Sequence, residues 1–178
     1  MALVACMAAL AMTSCNKKDE PTPTPDPQPD TKAVAASIVF NAKFDPQTIE
    51  QCDISFDYYD EKGNKKNEVV TTAEWKKEVK SASLPATFGF HWNLAIKANL
   101  DTTKYEHFNV DAEFSYTSAS LNAEGASVKE NIVGPVHAGG SFAMRKRETA
   151  VASIMNNNPL SFVLKYDAEG KLTSEDWK

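Results

Sequence analysis

The feature that most constrains this chain is a period of two in its apolar residues. Phe88, Phe90, Trp92, Leu94, Ile96, Ala98 and Leu100 alternate with Gly89, His91, Asn93, Lys97 and Asn99. On a helix these apolar groups would spread all round the axis; on a strand they line one face. The same alternation runs through Val34, Ala36, Ile38, Phe40, Ala42 and Phe44, through Cys52, Ile54, Phe56 and Tyr58, and through Phe108, Val110, Ala112, Phe114 and Tyr116. Further strands are expected over Glu68 to Thr72, Lys76 to Val79 and Leu160 to Tyr166. With a turn around Asp101 to Lys104 between them, the Phe88 and Phe108 runs are expected to pair as a hairpin.

Two turns share one chemistry, Tyr59-Asp60-Glu61-Lys62-Gly63 and Tyr166-Asp167-Ala168-Glu169-Gly170. Asp opens a type I turn and Gly takes the left-handed position that closes it. A calcium loop would need D-x-[DN]-x-[DN]-G, and that spacing is absent. One segment breaks the β pattern. After Gly139-Gly140, Ser141 is placed to cap a helix carrying Met144, Val151, Ile154 and Met155, ended by Asn156-Asn157-Asn158 and Pro159. Strands with one apolar face need a second sheet to cover it. The expected fold is therefore mainly β, an antiparallel sandwich spanning residues 33–178 as one domain, with one short helix before the last hairpin.

The front of the chain has a different character. An uncharged apolar run from Ala2 to Met12 leads through Thr13 and Ser14 into Cys15. It has the length of a secretory h-region and is too short to span a bilayer, which takes about 20 residues. Residues 1–14 thus read as a lipoprotein signal, removed before Cys15, with Ser14 as the small residue at the cleavage site and Met12 standing where Leu is usual. The run departs from that pattern in having no Lys or Arg before Cys15, as expected if the true start lies upstream. Acyl chains on Cys15 would hold the protein to a membrane, each buried CH₂ contributing about 0.8 kcal/mol. Residues 15–32 then form a linker in which proline takes every second place from Pro21 to Pro29. Such a tract favours extended polyproline II and gives a spacer of about 50 Å.

Composition and cysteine usage exclude several function classes. A formal net charge of -5 argues against nucleic acid as a partner, which needs a clustered basic surface. The one basic cluster, Arg145-Lys146-Arg147, reads as a solvated helix face. With Cys6 in the signal and Cys15 lipidated, Cys52 is left alone, on the apolar parity of its strand, and reads as a small core residue.

Catalytic signatures are sparse. His91, His107 and His137 form no metal-binding motif, and no metal or other cofactor is expected. Gly139-Gly140-Ser141 lacks the G-x-S-x-G elbow and reads as a loop and cap. Asp111 and Glu113 share one strand face, as glycosidase carboxylates would, and equally as the solvated face of a strand does. A recognition role fits better. Exposed aromatic rings stack on pyranose CH groups while their polar edges reach hydroxyls. Trp92 has core parity and is set aside. Tyr59 lies on the outward parity beside a hairpin tip, and Trp75 and Trp177 lie near segment ends; these three are the candidate ligand contacts.

Tyr58-Tyr59-Asp60-Glu61-Lys62-Gly63, the strand around Trp75, Ser83-Leu84-Pro85-Ala86-Thr87-Phe88-Gly89-Phe90, and Tyr166 to Gly170 through Asp176-Trp177 together resemble uncharacterised small lipoproteins of Bacteroidota with immunoglobulin-like β-sandwich domains. The resemblance covers most of residues 33–178. It implies that fold and an outer-membrane location, and it implies no catalytic residues. Asp19-Glu20, close behind Cys15, resembles the export signals that send such lipoproteins to the cell surface. The expected function is a membrane-anchored, non-catalytic envelope module that binds glycan or protein. The alternatives are a structural subunit that offers a sheet edge to a partner and, third, a small hydrolase.

Overall fold

The computed structural model describes residues 31–158 and 160–178. Cys15, the signal and most of the proline linker lie outside the described residues. Among the described residues nine strands form two antiparallel sheets packed face to face. The strands are β1 (Ala35–Phe44), β2 (Cys52–Tyr59), β3 (Lys65–Val70), β4 (Glu74–Ser81), β5 (Ala86–Ile96), β6 (His107–Leu121), β7 (Ser127–Ala143), β8 (Ser161–Tyr166) and β9 (Leu172–Asp176). One sheet has the order β4-β1-β6-β7 and the other β3-β2-β5-β8-β9. A helix, α2 (Arg147–Asn156), precedes the closing hairpin.

The alternating apolar residues face inward from both sheets. Phe40, Phe56, Phe90, Trp92, Phe108 and Phe114 are fully buried, each contributing about 2–3 kcal/mol by leaving water. Phe90 of one sheet stacks on Phe114 of the other with ring centroids 4.3 Å apart, and on Phe40 at 5.0 Å. The Tyr166 hydroxyl lies 2.9 Å from Ser118 Oγ across the same interior.

That stacking corrects the expected β5–β6 hairpin. β5 pairs with β2 and β8, whereas β6 pairs with β1 and β7. The two runs face one another across the core instead of sharing an edge. The chain leaves β5 at Ile96, so Ala98 and Leu100 lie outside the strand, and it crosses between sheets through a short 3₁₀ turn at Thr102–Lys104 held by Asp101. Alternation showed that each strand has one apolar face and was silent on which sheet it joins.

Three further elements differ from expectation. Ser141 does not cap a helix; it sits in β7, and α2 begins later at Arg147, with no side-chain cap. Met144 falls in a preceding 3₁₀ turn with Arg145 and Lys146, so the basic cluster spans that turn and the start of α2. β7 is a long strand that the apolar pattern did not mark. A six-residue helix, α1 (Pro46–Gln51), seats its buried Thr48 and Gln51 on β6. There Asp111 donates its N–H to Thr48 Oγ1 at 2.8 Å and Asn109 donates its N–H to Gln51 Oε1 at 2.8 Å.

The two Asp-to-Gly turns form as expected, joining β2 to β3 and β8 to β9. Gly63 has φ +76 and Gly170 has φ +78, and each donates its N–H to the Asp carbonyl three residues before it, at 2.9 and 3.1 Å. This left-handed backbone is where glycine is preferred.

Candidate ligand-binding face

On the five-stranded sheet the even-numbered positions of β2 and β5 point into the core and the odd-numbered ones point out. Register then sets the outward rows. Tyr59 stands opposite Lys65 of β3, and the neighbouring pair Tyr58–Phe90 puts Gly89 beside it in β5. Gly89 is opposite Val163, and Val163 opposite Glu175. The next row carries Asn67, Asp57, His91 and Ser161, and two residues beyond Glu175 the chain reaches Trp177.

Tyr59 and Trp177, 118 positions apart, meet above Gly89. Their ring centroids are 4.8 Å apart, and the Trp177 ring lies nearly parallel to His91 at 5.9 Å. The seat exists because position 89 has no side chain. A Cβ there would fall 2.5 Å from Tyr59 Cδ2 and closer still to Trp177 Cζ3. Val163, although on the outward face, is buried, as expected beneath such a cover. Lys65 Nζ lies 4.9 Å from the Trp177 ring centre, a cation–π arrangement.

Polar groups border the rings. Asp57 accepts from Asn67 Nδ2 at 2.8 Å and pairs with Lys65 at 3.4 Å. Partial burial pulls its pKa upward, but hydrogen bonds from Asn67 and Asn93 and the Lys65 charge outweigh that and hold it below the ordinary value. His91 Nδ1 lies 2.7 Å from Ser161 Oγ. Burial, helped by Lys65 and opposed by Asp57 and Asn93, keeps His91 below its ordinary pKa, so the ring is neutral at pH 7. His91 is thus a built part of this face.

Trp75, the third aromatic candidate, is a correction. It is 8% exposed and packs against Phe56 at 4.4 Å and Phe90 at 5.9 Å. Its Nε1 donates to Glu68 Oε1 at 2.8 Å. The β1–β4 register pairs Trp75 with the inward-facing Ala42, which turns the indole into the core.

The remaining chemistry is quiet. Cys52 is buried and its thiol pKa is pushed up to about 12 by burial, which leaves it protonated and unreactive. Asp111 and Glu113 lie on the outer face of β6, where Asp111 lines a hollow of about 450 Å³ together with Asp45, Asn109, His137 and Gly139. His137 Nε2 is 4.0 Å from Glu113 Oε2 in an open setting. His107 is exposed. Among the described residues no group of three or more His, Cys, Asp or Glu is placed to hold a metal ion, and no helix is long and apolar enough to cross a membrane.

No protein-family model, no curated protein and no solved structure matches this chain.

Proposed function

We propose that the protein is a non-catalytic recognition module of the cell envelope, tethered through lipid on Cys15 and binding glycan with the outer face of the five-stranded sheet. The observation that carries this reading is the Tyr59–Trp177 pair seated on Gly89 and bordered by Asp57, Asn67, His91 and Ser161. Apolar ring surface beside fixed hydrogen-bonding groups suits the mixed CH and hydroxyl surface of a sugar. The outer-membrane, surface-facing location and the immunoglobulin-like kinship belong to the same proposal and rest on the sequence alone.

The test is affinity electrophoresis of the full chain through gels containing neutral polysaccharides. Wild type should be retarded by at least one of them, and Tyr59→Ala and Trp177→Ala should run free while keeping their far-ultraviolet spectrum. Retardation unchanged in both variants would reject this face as the site. Protease shaving of intact cells, with a Cys15→Ala control, tests the location: signal lost only when Cys15 is present means surface display.

A second reading, a partner strand added to a sheet edge, is favoured by one observation. β7 is an edge strand of 17 residues, hydrogen-bonded to a neighbour on one side only, with Ile132 68% exposed. Crosslinked complexes that persist in the Trp177→Ala variant would support it.

A further inference from the structure

The outer face does not end at the rings. Two residues on from His91 along β5 stands Asn93, opposite Ser55, which in turn faces Val69 of β3; two further on, Ala95 stands opposite Asp53. Here the sheet opens into a hollow of about 580 Å³, with Val69, Asn93, Ala95 and Met155 among its walls. Met155 comes from α2, which packs on β5 and closes the far end. From Gly89 to Ala95 a strand rises about 20 Å, longer than one sugar ring and suited to a chain of several.

The charges along this path are largely neutralised within the protein. Lys65 pairs with Asp57 at 3.4 Å and Lys165 with Glu175 at 2.7 Å. Asp53, exposed at the far end, adds a carboxylate that repels anions and accepts from hydroxyls. Between these groups the surface is amide, hydroxyl and alkyl: Asn67, Asn93 and Ser55, then Val69, 67% exposed, and Met155. Exposed alkyl beside amide matches the alternating CH and hydroxyl faces of a sugar chain better than it matches a charged polymer.

Resting on the glycan reading above, we propose that this face takes an uncharged, linear oligosaccharide laid along the strands. One end sits at the Tyr59–Trp177 rings and the other in the hollow beside Met155. The rings form the terminal subsite, Asp57, Asn67 and Asn93 hold hydroxyls along the middle, and Val69 and Met155 receive the distal ring.

The experiment is calorimetric titration of the full chain with cello-, manno- and malto-oligosaccharides of one to six rings, at low and high salt, with sulfated and amino-substituted polymers as charged probes. For the binding series, affinity should rise with chain length and level off once the path is filled, with little change between the two salt levels. Asn93→Ala should weaken the six-ring ligand by about tenfold, the equivalent of a lost hydrogen bond or two, and the two-ring ligand by less, through the support that Asn93 gives Asp57. Trp177→Ala should abolish both. Affinity that depends on Trp177 but is flat with length, or is unmoved by Asn93→Ala, overturns the extended site and leaves the glycan reading standing. Salt-sensitive binding of a charged polymer in preference to every neutral series overturns the uncharged ligand. No binding of any neutral sugar overturns both.

Discussion

Two tryptophan clusters in this molecule use the same ingredients to opposite ends. At the corner where β3 passes to β4, Trp75 packs with Phe56 and Tyr58, Lys77 Nζ lies 4.8 Å from the Tyr58 ring centre, and Glu68 binds both the indole and the ammonium. On the outer face Trp177 packs with Tyr59 and His91, Lys65 lies over its ring, and Asp57 binds the ammonium. Each cluster thus holds an indole, a second ring, a lysine and a carboxylate. The difference is parity. The first points inward and closes the seam between β3 of one sheet and β4 of the other; the second points outward and rests on a glycine. Chemical type says little about role until the strand face is known.

Substitutions should separate the two clusters. The largest effect is expected at the seam: Trp75→Ala removes a buried indole and should cost about 3–5 kcal/mol in urea unfolding. The folded fraction should still bind any ligand of the outer face. Gly89→Ala comes next, because the new methyl overlaps both rings. It should displace Trp177, change the near-ultraviolet dichroism and cost about 1–3 kcal/mol. An unchanged spectrum would mean that the rings do not rest on Gly89.

Glu68→Gln probes the seam through pH. Partial burial raises the Glu68 pKa, but hydrogen bonds from Lys77, Trp75 and Tyr58 outweigh it, so its folded pKa lies below 4.5. The stabilisation is therefore fully present above about pH 4.5 and is lost as pH falls through the folded value. The variant should lose about 1 kcal/mol at neutral pH and show a flatter acid limb in melting temperature against pH. Smallest of all, Lys65→Ala removes an exposed cation from the Trp177 ring and should cost about 0.5–1 kcal/mol. Equal losses from Lys65→Ala and Trp75→Ala would erase the contrast between the two regions.

Most of this was legible where the chain alternates cleanly. β1, β2, β5 and the first part of β6 announce themselves because one face is buried and the other wet. β7 gives no such signal: its pairing is one-sided, its residues are mostly exposed, and Gly134-Pro135 and Gly139-Gly140 interrupt it. α1 is too short to show a helical period. The sheet assignment of β5 and β6 depends on where the crossover at Asp101 leads, which no local pattern encodes. Of the site, Tyr59 was legible from parity, and Trp177 only as an aromatic near the end of a strand. Their meeting needed the β2-β5-β8-β9 order. Gly89 was the one local clue, since a glycine inside a strand marks a place where something else comes close.

Ala33 lies against the Gly170 turn, so the polypeptide enters the sandwich at the end where β8 and β9 are joined. The hollow beside Met155 is at the opposite end of β5, about 30 Å away along the strand axis. The proposed recognition face therefore runs lengthwise, from the end where the chain enters the sandwich to the end farthest from it. Under the proposed reading, one end of a bound filament would lie at the end of the sandwich where the chain enters, and its length would point toward the end farthest from that entry.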